Sequence, residues 1–156
     1  MRIELSKDAL MIHNIMIQAF DMYKDDNVPS SALDETVETI EQGINNDEYA
    51  FIGYHNDIAV AMVRFKITND QLYFYRLSVL PDYQGRGFAK KLLNTLEDYG
   101  RKHHLNQIAC TVRLNISKNI YLYESTGYTI TKKFVRVEPN NKKLDIVLMT
   151  KSLNVF

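Results

Sequence analysis

The sequence predicts a mixed α/β domain, and three observations carry that prediction. Apolar residues recur at spacings of three and four in several segments, as an amphipathic helix requires. Other segments are short apolar runs bounded by Asn, Asp, Gly and Pro, which read as strands and turns. The two kinds interleave in the order β-α-α-β-β-β-α-β-α-β-β. At 156 residues the chain is expected to form a single domain, 1–156, large enough to bury a core.

Arg2-Ile3-Glu4-Leu5 is a short strand candidate. Ser6 is placed to cap a helix running to about Tyr23, with Leu10, Ile12, Ile15, Met16, Ala19 and Phe20 as its apolar positions. Residues 25–30 are a loop by composition. Ser31 followed by Asp34 resembles a capping box, and opens a second helix to Gln42 with Gly43 at its end. A three-stranded meander follows: Tyr49 to His55, Ile58 to Ile67 and Gln71 to Val79, joined by turns at Asn56-Asp57 and Thr68-Asn69-Asp70. A helix from Phe88 to His103 presents Leu92, Leu93, Leu96 and Tyr99 on one face. Gln107 to Val112 is a strand, and Ser117 to Thr126 a helix stopped by Gly127. Tyr128 to Val137 and Leu144 to Thr150 form a terminal hairpin around Pro139-Asn140-Asn141.

Composition excludes several function classes. The hydrophobic content of 46% and charged content of 24% are those of a soluble globule. One cysteine, Cys110, rules out an internal disulfide framework and fits a reducing cytosol. No apolar run approaches a membrane span, and no basic segment followed by an apolar run opens the chain. A cytoplasmic protein with no membrane partner is therefore expected. A net charge of +0 argues against a general nucleic-acid binder. That zero hides a split: residues 1–50 hold three Lys/Arg against eleven Asp/Glu, and residues 51–156 hold 16 against 8. Either the two parts meet differently charged partners, or the charges lie by chance on solvated helix faces.

The stretch from Leu77 to Leu93 organises the chain. An apolar strand breaks at Pro81, passes Gly85 and Gly87, and enters a helix. A helix N-terminus offers unpaired N–H groups and a positive dipole end, which suit an anion. Glycines keep side chains out of its way. A Walker A loop would require Gly-Lys-Ser/Thr, which is absent. A Rossmann turn would require an acidic residue at the end of a second strand, whereas Glu97 and Asp98 lie within the helix. A nucleotide-binding regulator is disfavoured on the same grounds.

The run Gln84-Gly85-Arg86-Gly87-Phe88-Ala89 resembles the acyl-CoA pyrophosphate loop of the GCN5-related N-acetyltransferases, and Leu77 to Tyr83 resembles that family's preceding strand end. Leu122-Tyr123-Glu124 and Gly127-Tyr128 match its second signature in register, while the family's Asn falls at Ile116 and its Ala at Asn119. The resemblance covers essentially the whole chain. It implies a central twisted, mostly antiparallel sheet of about seven strands flanked by four helices.

It also implies a function: transfer of an acetyl group directly from acetyl-CoA, the cosubstrate, to a primary amine, with no metal. Gln84, Gly85, Arg86, Gly87, Phe88, Ala89 and Lys90 would hold the pyrophosphate. Backbone groups of Leu77, Ser78 and Val79 would pair with the pantetheine arm and polarise the acyl carbonyl, and Asn115 or Asn119 would contact that arm. Tyr123 would protonate the departing thiolate; a phenol with a pKa near 10 can serve a thiol of about 8.5. Without the signature, Tyr123 would read as helix packing. Many relatives carry a carboxylate where this chain has Tyr75 and Arg76, so the base is open among Glu4, Asp21, Asp25, Asp26, Glu35 and a water chain. The missing carboxylate motivates an alternative, a catalytically weak CoA-binding or sensory module. The acidic first helices, which commonly border the acceptor site in the family, suggest a cationic acceptor, a small molecule or a peptide. The protein is expected as a monomer or homodimer.

Other motifs read structurally. His103-His104 close a helix, where positive charge suits the dipole. Cys110 lies in an apolar strand with no adjacent base and reads as a core thiol. Tyr73-Phe74-Tyr75 reads as cross-strand packing, with one face available to an acceptor site.

Overall fold

Four residues in the left-handed region shape the meander. Asn56, Asp57, Asn69 and Asp70 have φ of 50°, 64°, 47° and 58°. Asn and Asp tolerate this conformation, and paired residues of this kind form tight hairpin turns. They join β2 (Tyr49–His55) to β3 (Ile58–Thr68) and β3 to β4 (Gln71–Val79). The computed structural model describes residues 1–25, 30–139 and 141–154, so most of the expected loop after Asp25 and the centre of the last hairpin, Asn140, lie outside the described residues.

The remaining strands are β1 (Arg2–Leu5), β5 (Gln107–Arg113), β6 (Thr129–Val137) and β7 (Lys143–Ser152). They complete one seven-stranded sheet in the order β1-β2-β3-β4-β5-β7-β6. Every pairing is antiparallel except β4 with β5. The helices are α1 (Ala9–Phe20), α2 (Val37–Asn45), α3 (Phe88–Lys102) and α4 (Ser117–Ser125). This is the mixed α/β architecture the element order predicts.

The sheet is covered on both faces. Ile12, Ile15 and Met16 of α1 and Ile40 of α2 pack with Ala50, Ile52 and Met62. Leu92, Leu93 and Leu96 of α3 pack with Val63, Phe65, Leu72 and Ile108. Each of those three leucines is fully buried, and burial of such a side chain contributes about 1.5–3 kcal/mol.

Four boundaries differ from the sequence reading. The cap of α1 is Asp8, whose carboxylate accepts from Met11 N. Ser6 instead continues the sheet edge through its N–H to Ala50 O, and its Oγ accepts from Asp8 N. The α-helix stops at Phe20, and residues Asp21–Tyr23 tighten into a 3₁₀ turn. Ser31–Asp34 is likewise a 3₁₀ turn rather than the start of α2. The true capping box is Thr36 with Thr39, each side chain bonded to the other's backbone N–H. Gly43 does not end α2, which continues to Asn45. It serves another purpose: the volume a Cβ would take there is filled by the Glu48 carboxylate.

Candidate active site

The loop leading into α3 has an open backbone. Gly85 and Gly87 have φ of 77° and 85°, conformations that L side chains rarely adopt, and a Cβ at either would meet nothing within 4 Å. Gly87 is the N-cap of α3 and supplies no side-chain cap, and the first turn holds no acidic residue. The first intrahelical bond beyond the cap runs from Lys91 N to Gly87 O. The N–H groups of Phe88, Ala89 and Lys90 therefore face outward from an uncapped positive dipole end. Gln84 steadies the loop by donating from Nε2 to Val79 O at 3.1 Å. An uncapped helix end with open glycines and lysines at positions 90 and 91 fits a phosphate-bearing group.

The strand leading to this loop is bent. The register of β3 against β4 steps from Met62↔Ser78 to Arg64↔Tyr75, which leaves Arg76 and Leu77 opposite the single residue Val63. Arg76 adopts φ 57°, the left-handed region. This is a β-bulge with a non-glycine residue at its strained position. On the other side of β4, the parallel ladder with β5 pairs only Gln71↔Gln107, Leu72↔Ile108 and Tyr73↔Ala109. Beyond Tyr73 the two strands separate.

A charge network holds the bulge. Glu35 accepts from Arg64 Nη1 at 2.8 Å and from Arg76 Nε at 2.9 Å. Arg76 also donates to Ser31 Oγ at 3.0 Å, and Arg64 reaches Glu48 Oε2 at 3.3 Å. Arg64 is buried within a run of apolar β3 residues. Burial opposes its charge, but Glu35, with Tyr75 and Glu48, outweighs that and holds its pKa above the ordinary value. The Tyr75 hydroxyl is buried with no hydrogen-bond partner among the described residues, and burial followed by the nearby Glu48 carboxylate pushes its pKa up.

Two cavities flank the point where β4 and β5 part. One, of about 540 Å³, lies along the cradle and is lined by Leu77, Ser78, Val79, Gln84, Gly85, Gly87, Phe88, Ala89 and Lys90, with Lys118 and Leu122 of α4. The other, of about 400 Å³, opens on the sheet face bearing Arg64, Lys66, Tyr73, Tyr75 and Thr111. Both are lined by Phe20, Leu77, Asn119 and Tyr123. Tyr123 is buried, with its ring 5.6 Å from Phe74 in an edge contact and 5.9 Å from Tyr128.

Most of the residues singled out in the sequence meet here. Two do not line either cavity: Arg86, exposed with its guanidinium 5.1 Å from the Tyr83 ring, and Asn115, an exposed turn residue before α4. Asn119, one turn further along, lines both. Of the carboxylates weighed as bases, Glu35 lines the second cavity. Glu4 pairs with Arg2 on β1, Asp21 pairs with Lys24, and Asp26 lies outside the described residues. Tyr73, Phe74 and Tyr75 all line the cavity, Phe74 from within the core. Cys110 is buried, and burial pushes its thiol pKa up, so it stays protonated. His103 is the C-cap of α3, stacked on Tyr99. Glu48 and Phe20 were not anticipated. The signal for Glu48 was Arg64, a charge inside an apolar strand that demands a buried partner.

Residues 13–128 match the Acetyltransferase (GNAT) family. No curated protein matches the sequence. Among solved structures, the ribosomal-protein-S18-alanine N-acetyltransferase of Escherichia coli is similar at a TM-score of 0.77 and 20% identity, over 99% of this chain and 96% of that one. A chimeric spermidine N-acetyltransferase from Vibrio cholerae is similar at 0.77 and 22% identity, over 98% and 96% of the two chains. An acetyltransferase from Salmonella typhimurium, solved with its cofactor acetyl-CoA, is similar at 0.73 and 19% identity, over 100% and 96%. At such identities the likeness is one of fold.

Proposed function

Because the chain belongs to the Acetyltransferase (GNAT) family, we propose that it is an acetyl-CoA-dependent N-acetyltransferase that moves an acetyl group directly to a primary amine. The observation that carries this reading is the meeting of the two cavities at Leu77, Asn119 and Tyr123. Direct transfer requires both reactants at one point, and two cavities that share these lining residues support it. We propose that residues 1–156 act as one domain built on the single sheet.

Acetyl-CoA when bound would supply an activated acetyl thioester. The backbone of Gln84 to Lys90 would hold its pyrophosphate. The bulge withdraws Leu77 from the register of β3, and the end of the β4–β5 ladder withdraws it from β5. Its N–H would serve a developing oxyanion. Tyr123 would give its proton to the departing sulfur. Asn119 takes the role left open between it and Asn115, since it alone borders the junction. Glu35 and Glu48 both bind guanidiniums, so the proton of the amine would leave through solvent in the open cavity. No nucleophilic intermediate is required, because Cys110 is buried and protonated and no adjacent base activates it.

The test is release of CoA from acetyl-CoA in the presence of a panel of primary amines, with product mass showing one added acetyl group. Stoichiometric acetylated amine supports the reading. Acetyl-CoA binding without turnover on any amine would favour a CoA-binding module instead.

A further inference from the structure

Helix α4 carries Asn119 and Tyr123, which line both cavities, yet little of the helix is buried. Among the described residues Tyr123 is its one buried side chain, and its N-cap, Ile116, makes no side-chain capping bond. A nine-residue helix of this kind is not stable by itself and takes its position from tertiary contacts.

The contacts that hold it lie at its C-terminal end. The Tyr123 carbonyl accepts from Thr126 N at 3.1 Å, from Thr126 Oγ1 at 3.0 Å and from Tyr128 N at 3.0 Å. Thr126 O in turn accepts from Lys151 Nζ at 2.7 Å. Lys151 lies on β7, and its Nζ also donates to Glu97 Oε1 of α3 at 2.8 Å. The second Glu97 oxygen accepts from the Tyr128 hydroxyl at 3.1 Å, and the Tyr128 ring lies 5.9 Å from the Tyr123 ring. These bonds join α3 and β7 to the last turn of α4. Gly127 makes room for them: its φ is 100°, and a Cβ there would meet Lys151 Cε at 3.2 Å.

Stability alone does not account for this cluster. Glu97 is 3% exposed. Desolvation of a buried ion pair offsets most of the attraction within it, and apolar residues of like volume are often as stable. What the pair adds is direction, because an ammonium group shared between Glu97 and Thr126 O fixes that carbonyl where an apolar contact would let the helix end slide. Neither Lys151 nor Glu97 lines either cavity, so their effect on the site passes through α4.

We propose that Lys151 and Glu97 are positioning residues for Tyr123, holding the end of α4 so that the Tyr123 side chain stays at the junction of the two cavities. This rests on the transferase reading, in which Tyr123 gives its proton to the departing sulfur.

The experiment uses the full chain with Lys151→Met, and with Glu97→Gln and Lys151→Met together. The paired variant leaves no unpaired buried charge, so it serves where Lys151→Met alone does not fold. Hydrogen exchange read by mass spectrometry should be about 10-fold faster across residues 117–128 in both, with β2, β3 and β4 unchanged. With the amine of highest turnover, kcat should fall by about 10-fold to 100-fold, while the acetyl-CoA dissociation constant stays within about threefold of the parent. In a Tyr123→Phe background the paired variant should lower kcat by less than about twofold, because the side chain it positions is already altered. The same loss of kcat in both backgrounds overturns the proposal. Unchanged exchange across residues 117–128 also overturns it, as does faster exchange spread evenly over the whole chain, which would make the cluster a general stabiliser. Absence of turnover in the parent would sink the transferase reading alone, and the exchange result would still uphold or overturn the hold on α4.

Discussion

Arg76 Nε donates to Glu35 Oε2 at 2.9 Å, and this bond ties the left-handed residue of β4 to the segment entering α2. A non-glycine residue at φ 57° costs about 1 kcal/mol or more unless its surroundings hold it there. Glu35 does that, while its second oxygen accepts from Arg64. The bulge that sets Leu77 apart from its neighbours is therefore pinned by a side chain on another element.

Glu35→Gln should keep the fold but loosen the bulge. Replacing a carboxylate shared by two guanidiniums is expected to cost about 1–3 kcal/mol in urea unfolding. The same variant should lower kcat with little change in acetyl-CoA affinity. Arg76→Gly separates conformation from charge: glycine takes φ 57° without strain, so this variant should be more stable than Arg76→Ala by roughly 1 kcal/mol. The reverse order would mean the backbone is held there at no cost.

Gly43 illustrates how far the sequence could be read. Its place near the end of an amphipathic pattern suggests a stop signal, yet its role lies in space, beneath the Glu48 carboxylate. Gly43→Ala should therefore displace Glu48 and weaken its bond to Arg64, although helix propensity alone predicts a gain of about 1 kcal/mol. A fall in thermal midpoint is the expected outcome, and a rise would show that the carboxylate moves aside freely.

The strands, the meander turns and α3 were legible because each obeys a local rule: period-two apolar runs, Asn-Asp turns, and leucines at helical spacing. The open loop before α3 was legible because Gly85 and Gly87 are the residues that take φ of 77° and 85° without strain. The caps of α1 and α2 were misread because Ser6 and Ser31 had closer competitors in Asp8 and Thr36, and side-chain hydrogen bonds decide between them. The bulge at Arg76 and the partners of Arg64 depend on contacts between segments distant in sequence, which no local pattern encodes.

Tyr128 gives a pH-dependent prediction. Its hydroxyl donates to Glu97 Oε2 at 3.1 Å, and burial, then the Glu97 carboxylate, raises its pKa above the ordinary 10.0. A raised folded-state pKa means the contribution is fully present below the unfolded value and is lost as pH rises beyond it. Tyr128→Phe should be less stable than the parent by about 1 kcal/mol at pH 8, and that gap should shrink above about pH 10. Denaturation midpoints of both proteins across this range check it. A constant gap would mean the hydroxyl does not resist ionisation.

Gly87→Ala tests the cradle. Alanine at φ 85° is strained by about 1–2 kcal/mol, and a shift of the helix end to relieve it would turn the N–H groups of Phe88 and Ala89. Acetyl-CoA affinity should fall at least 10-fold, while affinity for acetylated pantetheine lacking the nucleotide should be nearly unchanged. Equal losses for both would place the pyrophosphate elsewhere.

The most direct measurement is a comparison of Tyr123→Phe with the parent protein, using the amine of highest turnover. Substitution at the junction of the two cavities should lower kcat by about 100-fold, with the dissociation constant for acetyl-CoA within twofold of the parent. Full turnover in Tyr123→Phe, at any acetyl-CoA affinity, would contradict the assignment of the departing sulfur's proton to this residue.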